Sequence, residues 1–174
     1  MHMKKKKITG ADSISAPGMF EMKLLRLLGL KAGKYSGEGL NDGHQKFRGE
    51  MILTPVVNNH GVHIAYKATG IDSTVLSEEH TLISLTNENR LCLWTLNSNF
   101  HTTITFEFKS HKRIPGEKDI IIFGFGNPDD NKIFREEIVF ELFDNGCLSY
   151  NYYWGMPNGV FMKHSSITMK LDKG

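Results

Sequence analysis

Phe134-Arg135-Glu136-Glu137-Ile138-Val139-Phe140-Glu141-Leu142 decides the fold class. Phe134, Ile138, Phe140 and Leu142 fall on one parity, and a period of two marks a half-buried β-strand. The same texture recurs outward in both directions. In Thr102–Phe108, Ile104, Phe106 and Phe108 share a face. In Val62–Ala68 the even positions are apolar and the odd ones include His63 and Lys67. Turn-forming clusters separate these runs, among them Asn41-Asp42-Gly43, Asn58-Asn59-His60-Gly61, Asn87-Glu88-Asn89, Asp144-Asn145-Gly146 and Pro157-Asn158-Gly159. Each uses residues that tolerate a left-handed backbone or start a tight turn.

The spacing predicts ten strands, at 34–40, 46–57, 61–69, 74–85, 90–96, 101–109, 118–126, 132–143, 146–154 and 160–171. No helical segment interrupts them, so short hairpins link them into an antiparallel meander. Ten strands left as an open sheet would expose two edges, which closure into a barrel removes. The expected fold is therefore all-β, a ten-stranded antiparallel up-and-down barrel. The near-even hairpin spacing favours it over a β-sandwich. Such a barrel can hold a small ligand. Ahead of it, Phe20, Leu24, Leu27 and Leu28 recur at helical spacing between Pro17 and Gly29. This predicts a short amphipathic helix over 17–29 that covers an opening or edge of the barrel.

The 174 residues point to one β-barrel domain over 17–174, behind a disordered basic tail over 1–16. Lysine and arginine number 21 against 19 acidic residues. Four of those lysines are Lys4–Lys7; without them the count is 17 against 19, a nearly neutral body and no nucleic-acid footprint. No apolar run has the ~20 residues needed to span a bilayer, and the lysine run does not lead into a signal-peptide core. A cytoplasmic protein with two free thiols, Cys92 and Cys147, is expected.

Two stretches carry a family resemblance. Gly33-Lys34-Tyr35-Ser36-Gly37-Glu38-Gly39 resembles the Gly-x-Trp-x-Gly-x-Gly opening strand of the calycin superfamily, with Tyr35 in place of the usual Trp. That superfamily includes lipocalins, fatty-acid-binding proteins and haem-binding nitrobindins. Toward the C-terminus, Leu148-Ser149-Tyr150 leads through Met156-Pro157-Asn158-Gly159 to His164-Ser165-Ser166-Ile167-Thr168-Met169-Lys170-Leu171, which is similar to nitrobindins. Glu78-Glu79-His80 also resembles an acidic, His-containing strand of such proteins, in a different residue order. The resemblance implies a calycin-like barrel with a cavity, and it implies haem as cofactor with His164 as the axial iron ligand. From the residues alone, His164 faces either the cavity or solvent.

The aromatic run Tyr150, Tyr152 and Trp154 shares a face and could form a ligand wall, with Tyr66, Trp94 and Phe106 added. Arg48 and Arg135 lie on predicted strands; facing inward, either would bind a carboxylate, as the resemblance to fatty-acid-binding proteins implies. No His, Cys, Asp and Glu set has metal-ligand spacing; Cys92 and Cys147 stand 55 positions apart. Phosphate loops and the Gly-x-Ser-x-Gly elbow are absent, and Glu136-Glu137 point to opposite faces rather than forming a dyad. The first expectation is non-enzymatic binding of a small hydrophobic molecule, fatty-acid-like or a similar amphiphile. The alternatives are a haem protein and an enzyme acting on a hydrophobic substrate through a buried acid or base. Oligomeric state, a homodimer included, is left open.

Overall fold

In the computed structural model, which describes residues 18–100 and 102–173, one helix precedes ten strands. The helix is α1 (Met19–Gly29). The first five strands are β1 (Gly33–Asn41), β2 (Lys46–Val56), β3 (Gly61–Gly70), β4 (Val75–Leu85) and β5 (Leu91–Asn97). The remainder are β6 (Ile104–Ile114), β7 (Lys118–Phe125), β8 (Arg135–Phe143), β9 (Leu148–Gly155) and β10 (Met162–Leu171). Each strand pairs antiparallel with its neighbours in sequence, and β1 pairs with β10, so the sheet closes into a barrel. The expected tail over 1–16, Pro17 and His101 lie outside the described residues. The largest differences from the sequence reading fall on two strands: β6 starts at Ile104 and runs on to Ile114, and β8 starts at Arg135; the other bounds agree within two residues. A bulge between Phe108 and Ser110 lets β6 continue past the break in its alternation.

Closure depends on close strand approach at β1. Gly37 sits between Met169 of β10 and Gly49 of β2. A methyl group there would collide with the Thr168 backbone carbonyl, and one at Gly49 would collide with Ile167. These two facing glycines let a tightly curved strand fit between its partners.

The interior is filled through its middle. Met51, Ile64, Ile83, Leu93, Phe106 and Ile121 are fully buried. Aromatic rings continue the fill: Phe123 meets Phe140 edge-on at 6.2 Å, Phe140 packs on Tyr150 at 5.2 Å, and Tyr150 meets Tyr66 edge-on at 5.1 Å. Among the described residues, these side chains pack the middle of the lumen. At one end α1 packs on β2, β3 and β4 and buries Leu24, Leu25 and Leu28. Each contributes roughly 1.5–3 kcal/mol by leaving water. The helix thus turns Leu25 inward where its apolar spacing pointed to Leu27, and Phe20 stays half-exposed. Tyr35 plugs the same end, and its hydroxyl donates to the Lys31 carbonyl at 2.8 Å.

The β2–β3 turn carries three successive left-handed residues, Val57 (φ 50°), Asn58 (φ 53°) and Asn59 (φ 65°). Asparagine tolerates this; a β-branched residue does not. Val57 is 77% exposed, so no burial offsets the strain. Val57→Asn is expected to raise stability by about 1 kcal/mol. The check is a higher urea midpoint at unchanged m-value; an unchanged or lower midpoint refutes it.

Candidate functional site

The end of the barrel opposite α1 is formed by the β1–β2, β3–β4, β5–β6, β7–β8 and β9–β10 connections. A pocket of about 260 Å³ opens there. Phe47, Tyr66, Leu76, Tyr150 and Tyr152 supply its apolar walls, and Glu79 is among its polar groups. A larger groove of about 530 Å³ runs between α1 and the β2–β3 turn, but its polar lining is mostly turn residues such as Asn58 and Asn59.

Period-two geometry turns Glu79, Thr81 and Ile83 of β4 into the lumen, where they are buried. The Glu79 carboxylate accepts from the Thr81 hydroxyl at 2.8 Å, the Tyr150 hydroxyl at 2.9 Å and the Asn97 amide at 3.2 Å. These donors favour the charged form, but burial outweighs them and pushes its pKa up. Tyr150, held against Glu79 in the same dry setting, has its hydroxyl pKa raised by burial and then by that carboxylate.

Glu136 is the second lumen carboxylate. It shares a face with Ile138, Phe140 and Leu142 of β8 and is completely buried. Neither of its oxygens meets a hydrogen-bond partner among the described residues. Burial, and then the charge of Glu79, push its pKa up to about 7. In register it faces Trp154 of β9, while Ile138 faces the pocket wall Tyr152. Above it, the rings of Phe125, Phe134, Trp154 and His164 follow one another along the rim with centroids 6.3, 6.5 and 3.7 Å apart, the first two pairs tilted and the last stacked.

Of the sequence candidates, Tyr66, Tyr150 and Tyr152 line this pocket together. Phe106 is fully buried in the filled middle of the barrel and does not line the pocket. Trp154 stands on the rim. Trp94 is on the outer face, because Leu91, Leu93 and Thr95 of β5 take the inward parity. Arg48 is exposed for the same reason, between buried Phe47 and Gly49. Arg135 is buried without reaching the lumen. Its guanidinium donates to the carbonyls of Pro128, Ile133, Gly155, Met156 and Gly159, tying the β7–β8 and β9–β10 connections together. Neither arginine is therefore an anchor for a carboxylate ligand.

His164 occupies a bulge in β10. Its Nδ1 bonds to the Asp42 carboxylate at 2.7 Å, its Nε2 to the Trp154 carbonyl at 3.2 Å, and its ring stacks on the Trp154 indole. Both ring nitrogens are thus turned toward protein oxygens, and neither faces an open coordination position for iron. His164 is also not among the pocket walls. The residues present do not fit an axial haem site. His63 and His80, far apart in sequence, meet on the outer face of β3 and β4 at 3.2 Å. Among the described residues, no three His, Cys, Asp or Glu side chains gather as metal ligands.

Sequence reasoning missed Glu79 and Glu136 as lumen groups. The signal for Glu136 was its place on the Phe134–Ile138–Phe140–Leu142 parity, where an acid interrupts an otherwise apolar face.

No family model and no curated protein matches the sequence. Among the described residues no helix is long and apolar enough to cross a membrane. The fold is similar to that in the crystal structure of Rv2717c from M. tuberculosis. The sequences are 12% identical, the match covers 86% of this chain and 97% of that one, and the TM-score is 0.65. A designed fluorescence-activating β-barrel aligns more loosely, with 10% identity over 81% of this chain and 93% of the other and a TM-score of 0.43. The first likeness establishes a shared barrel architecture.

Proposed function

We propose that this protein binds a small, largely apolar molecule in the pocket at the open end of the barrel, as a carrier or sensor without chemical turnover. One observation carries the reading: a preformed concavity that sets four aromatic side chains, Phe47, Tyr66, Tyr150 and Tyr152, beside polar groups such as Glu79 and Asn97, over a filled core. Aromatic walls with a few convergent polar groups are the usual make-up of a ligand site. At about 260 Å³ it lies just below the roughly 300–1,000 Å³ of typical ligand pockets. The occupant is accordingly compact, of single-ring or short-chain size. The packed middle of the barrel leaves no room for the extended acyl chain of a long fatty acid.

The test is a titration with 2-phenylethanol, a neutral single-ring probe, followed by tyrosine and tryptophan fluorescence or by amide chemical shifts. Saturable binding in the sub-millimolar range is expected. Ala68→Trp, which drives an indole into the pocket, and Leu76→Trp, which blocks its half-exposed mouth, are each expected to abolish it. Absence of binding, or binding that both variants retain, overturns the reading.

A further inference from the structure

The polar side chains at the pocket mostly engage one another. Glu79 is satisfied by Thr81, Tyr150 and Asn97. The Asn97 side-chain carbonyl in turn accepts from the Ser77 hydroxyl at 3.4 Å and the Asn99 backbone N–H at 2.9 Å. Asn41 is paired with Gln45 at 3.1 Å. Tyr66 differs. Its hydroxyl has no hydrogen-bond partner among the described residues, although the side chain is only 7% exposed. The oxygen is not enclosed by protein; it reaches the pocket. In register Tyr66 faces Met51, but its hydroxyl lies beside Gly49, two residues closer to the open end. A methyl group on Gly49 would come within 3.2 Å of that oxygen, so the glycine makes room for it. Burial and then the Glu79 charge push the Tyr66 pKa up, so the hydroxyl keeps its proton well above neutrality.

We propose that the pocket selects a compact neutral carbonyl compound, a ketone, aldehyde or ester, whose oxygen accepts a hydrogen bond from the Tyr66 hydroxyl while its apolar body lies against Phe47, Leu76 and Tyr152. This rests on the pocket reading above and narrows it to one ligand class. A buried hydroxyl without a partner is costly, and a ligand acceptor removes that cost. A ligand that brings its own buried donor is served less well, because the acceptors of Glu79 and Asn97 are already taken. A carboxylate ligand would lose its water beside Glu79, with no lysine, arginine or histidine among the described lining residues to replace it. Tyr152 and Ser165 are only partly buried and Asn99 is exposed, so water satisfies them without a ligand.

Acetophenone and α-methylstyrene test this, since the second carries CH2 where the first carries the carbonyl oxygen. Benzoate supplies the same ring with a charged acceptor. Binding to the wild type and to Tyr66→Phe, which deletes the hydroxyl alone, is followed by amide chemical shifts at neutral pH. Acetophenone is expected to weaken about fivefold or more in Tyr66→Phe, the worth of one hydrogen bond between neutral groups. α-Methylstyrene should bind the variant at least as well as the wild type. Benzoate should bind the wild type more weakly than acetophenone does. The infrared carbonyl stretch of bound acetophenone should lie lower in the wild type than in the variant, a signature that a merely structural tyrosine would not give. An unchanged acetophenone affinity, an equal loss for both uncharged probes, an unshifted stretch or tighter binding of benzoate overturns the carbonyl assignment. If Ala68→Trp still abolishes binding of the uncharged probes in that case, the pocket reading stands alone. If no probe binds, both readings fall.

Discussion

Arg135→Ala is expected to destabilise the protein by roughly 3–5 kcal/mol, the largest effect of any single side chain at the open end. The side chain is only 3% exposed. Its three nitrogens donate to five backbone carbonyls on two connections, at 2.7 to 3.4 Å. None of these acceptors is a carboxylate, so the charge is stabilised by oriented peptide dipoles alone. Removing it leaves those carbonyls short of donors, and each hydrogen bond to a charged group is worth about 1.5–3 kcal/mol before non-additivity. For a chain of this size the loss corresponds to a fall of roughly 10 °C or more in Tm. Arg135→Lys tests the geometric part. Lysine keeps the charge but presents its donors from one point, and it lacks the fork that reaches carbonyls on both sides. It should recover less than half of the loss in urea unfolding. A loss below about 1 kcal/mol for Arg135→Ala would show that the two connections hold their shape without it.

The same residue shows where sequence reading ends. Alternation tells which residues share a face, and that was enough for ten strands, their order and the grouping of Tyr150 with Tyr152. It does not say which face is inside when both parities are apolar. In Leu91-Cys92-Leu93-Trp94-Thr95-Leu96 each parity carries large apolar groups, so Trp94 reads equally well inward or outward; the structure puts it outward. Arg135 presents a different difficulty. Its parity is outward, yet it is buried because the chain on either side of Pro128 and Met156 folds back over it. That cover comes from residues remote in sequence and leaves no local pattern. The bulge at His164 likewise interrupts the alternation of β10, so parity could not decide between cavity and solvent for that residue. Turn chemistry was more dependable, since Asn58, Asn59, Asn89 and Asn158 all adopt the left-handed backbone expected at such positions.

Glu136→Gln is expected to stabilise the protein above neutrality and to leave it nearly unchanged in mild acid. In the folded chain, burial and the nearby Glu79 charge raise the pKa of Glu136 from the ordinary 4.5 to about 7. Between those values the folded state holds a proton that the unfolded state has released. Stability must then fall as pH rises through that window and level off above about 7. The size follows from the width, roughly 3 kcal/mol for a shift of this extent. Glu79 is shifted in the same direction, by burial, and steepens the decline. The exposed Asp42, Asp72 and Asp144 have lowered values, through hydrogen bonds led by His164, the Thr74 backbone and Arg113 respectively, and act only in stronger acid and with the opposite sign. Glutamine removes the titration while keeping the buried polar shape. Urea unfolding at about pH 5 and about pH 8 measures both states of the wild type and the variant. The variant should gain roughly 3 kcal/mol over the wild type at the higher pH and little at the lower. If the two proteins differ by the same amount at both, Glu136 does not titrate in the folded state within this range.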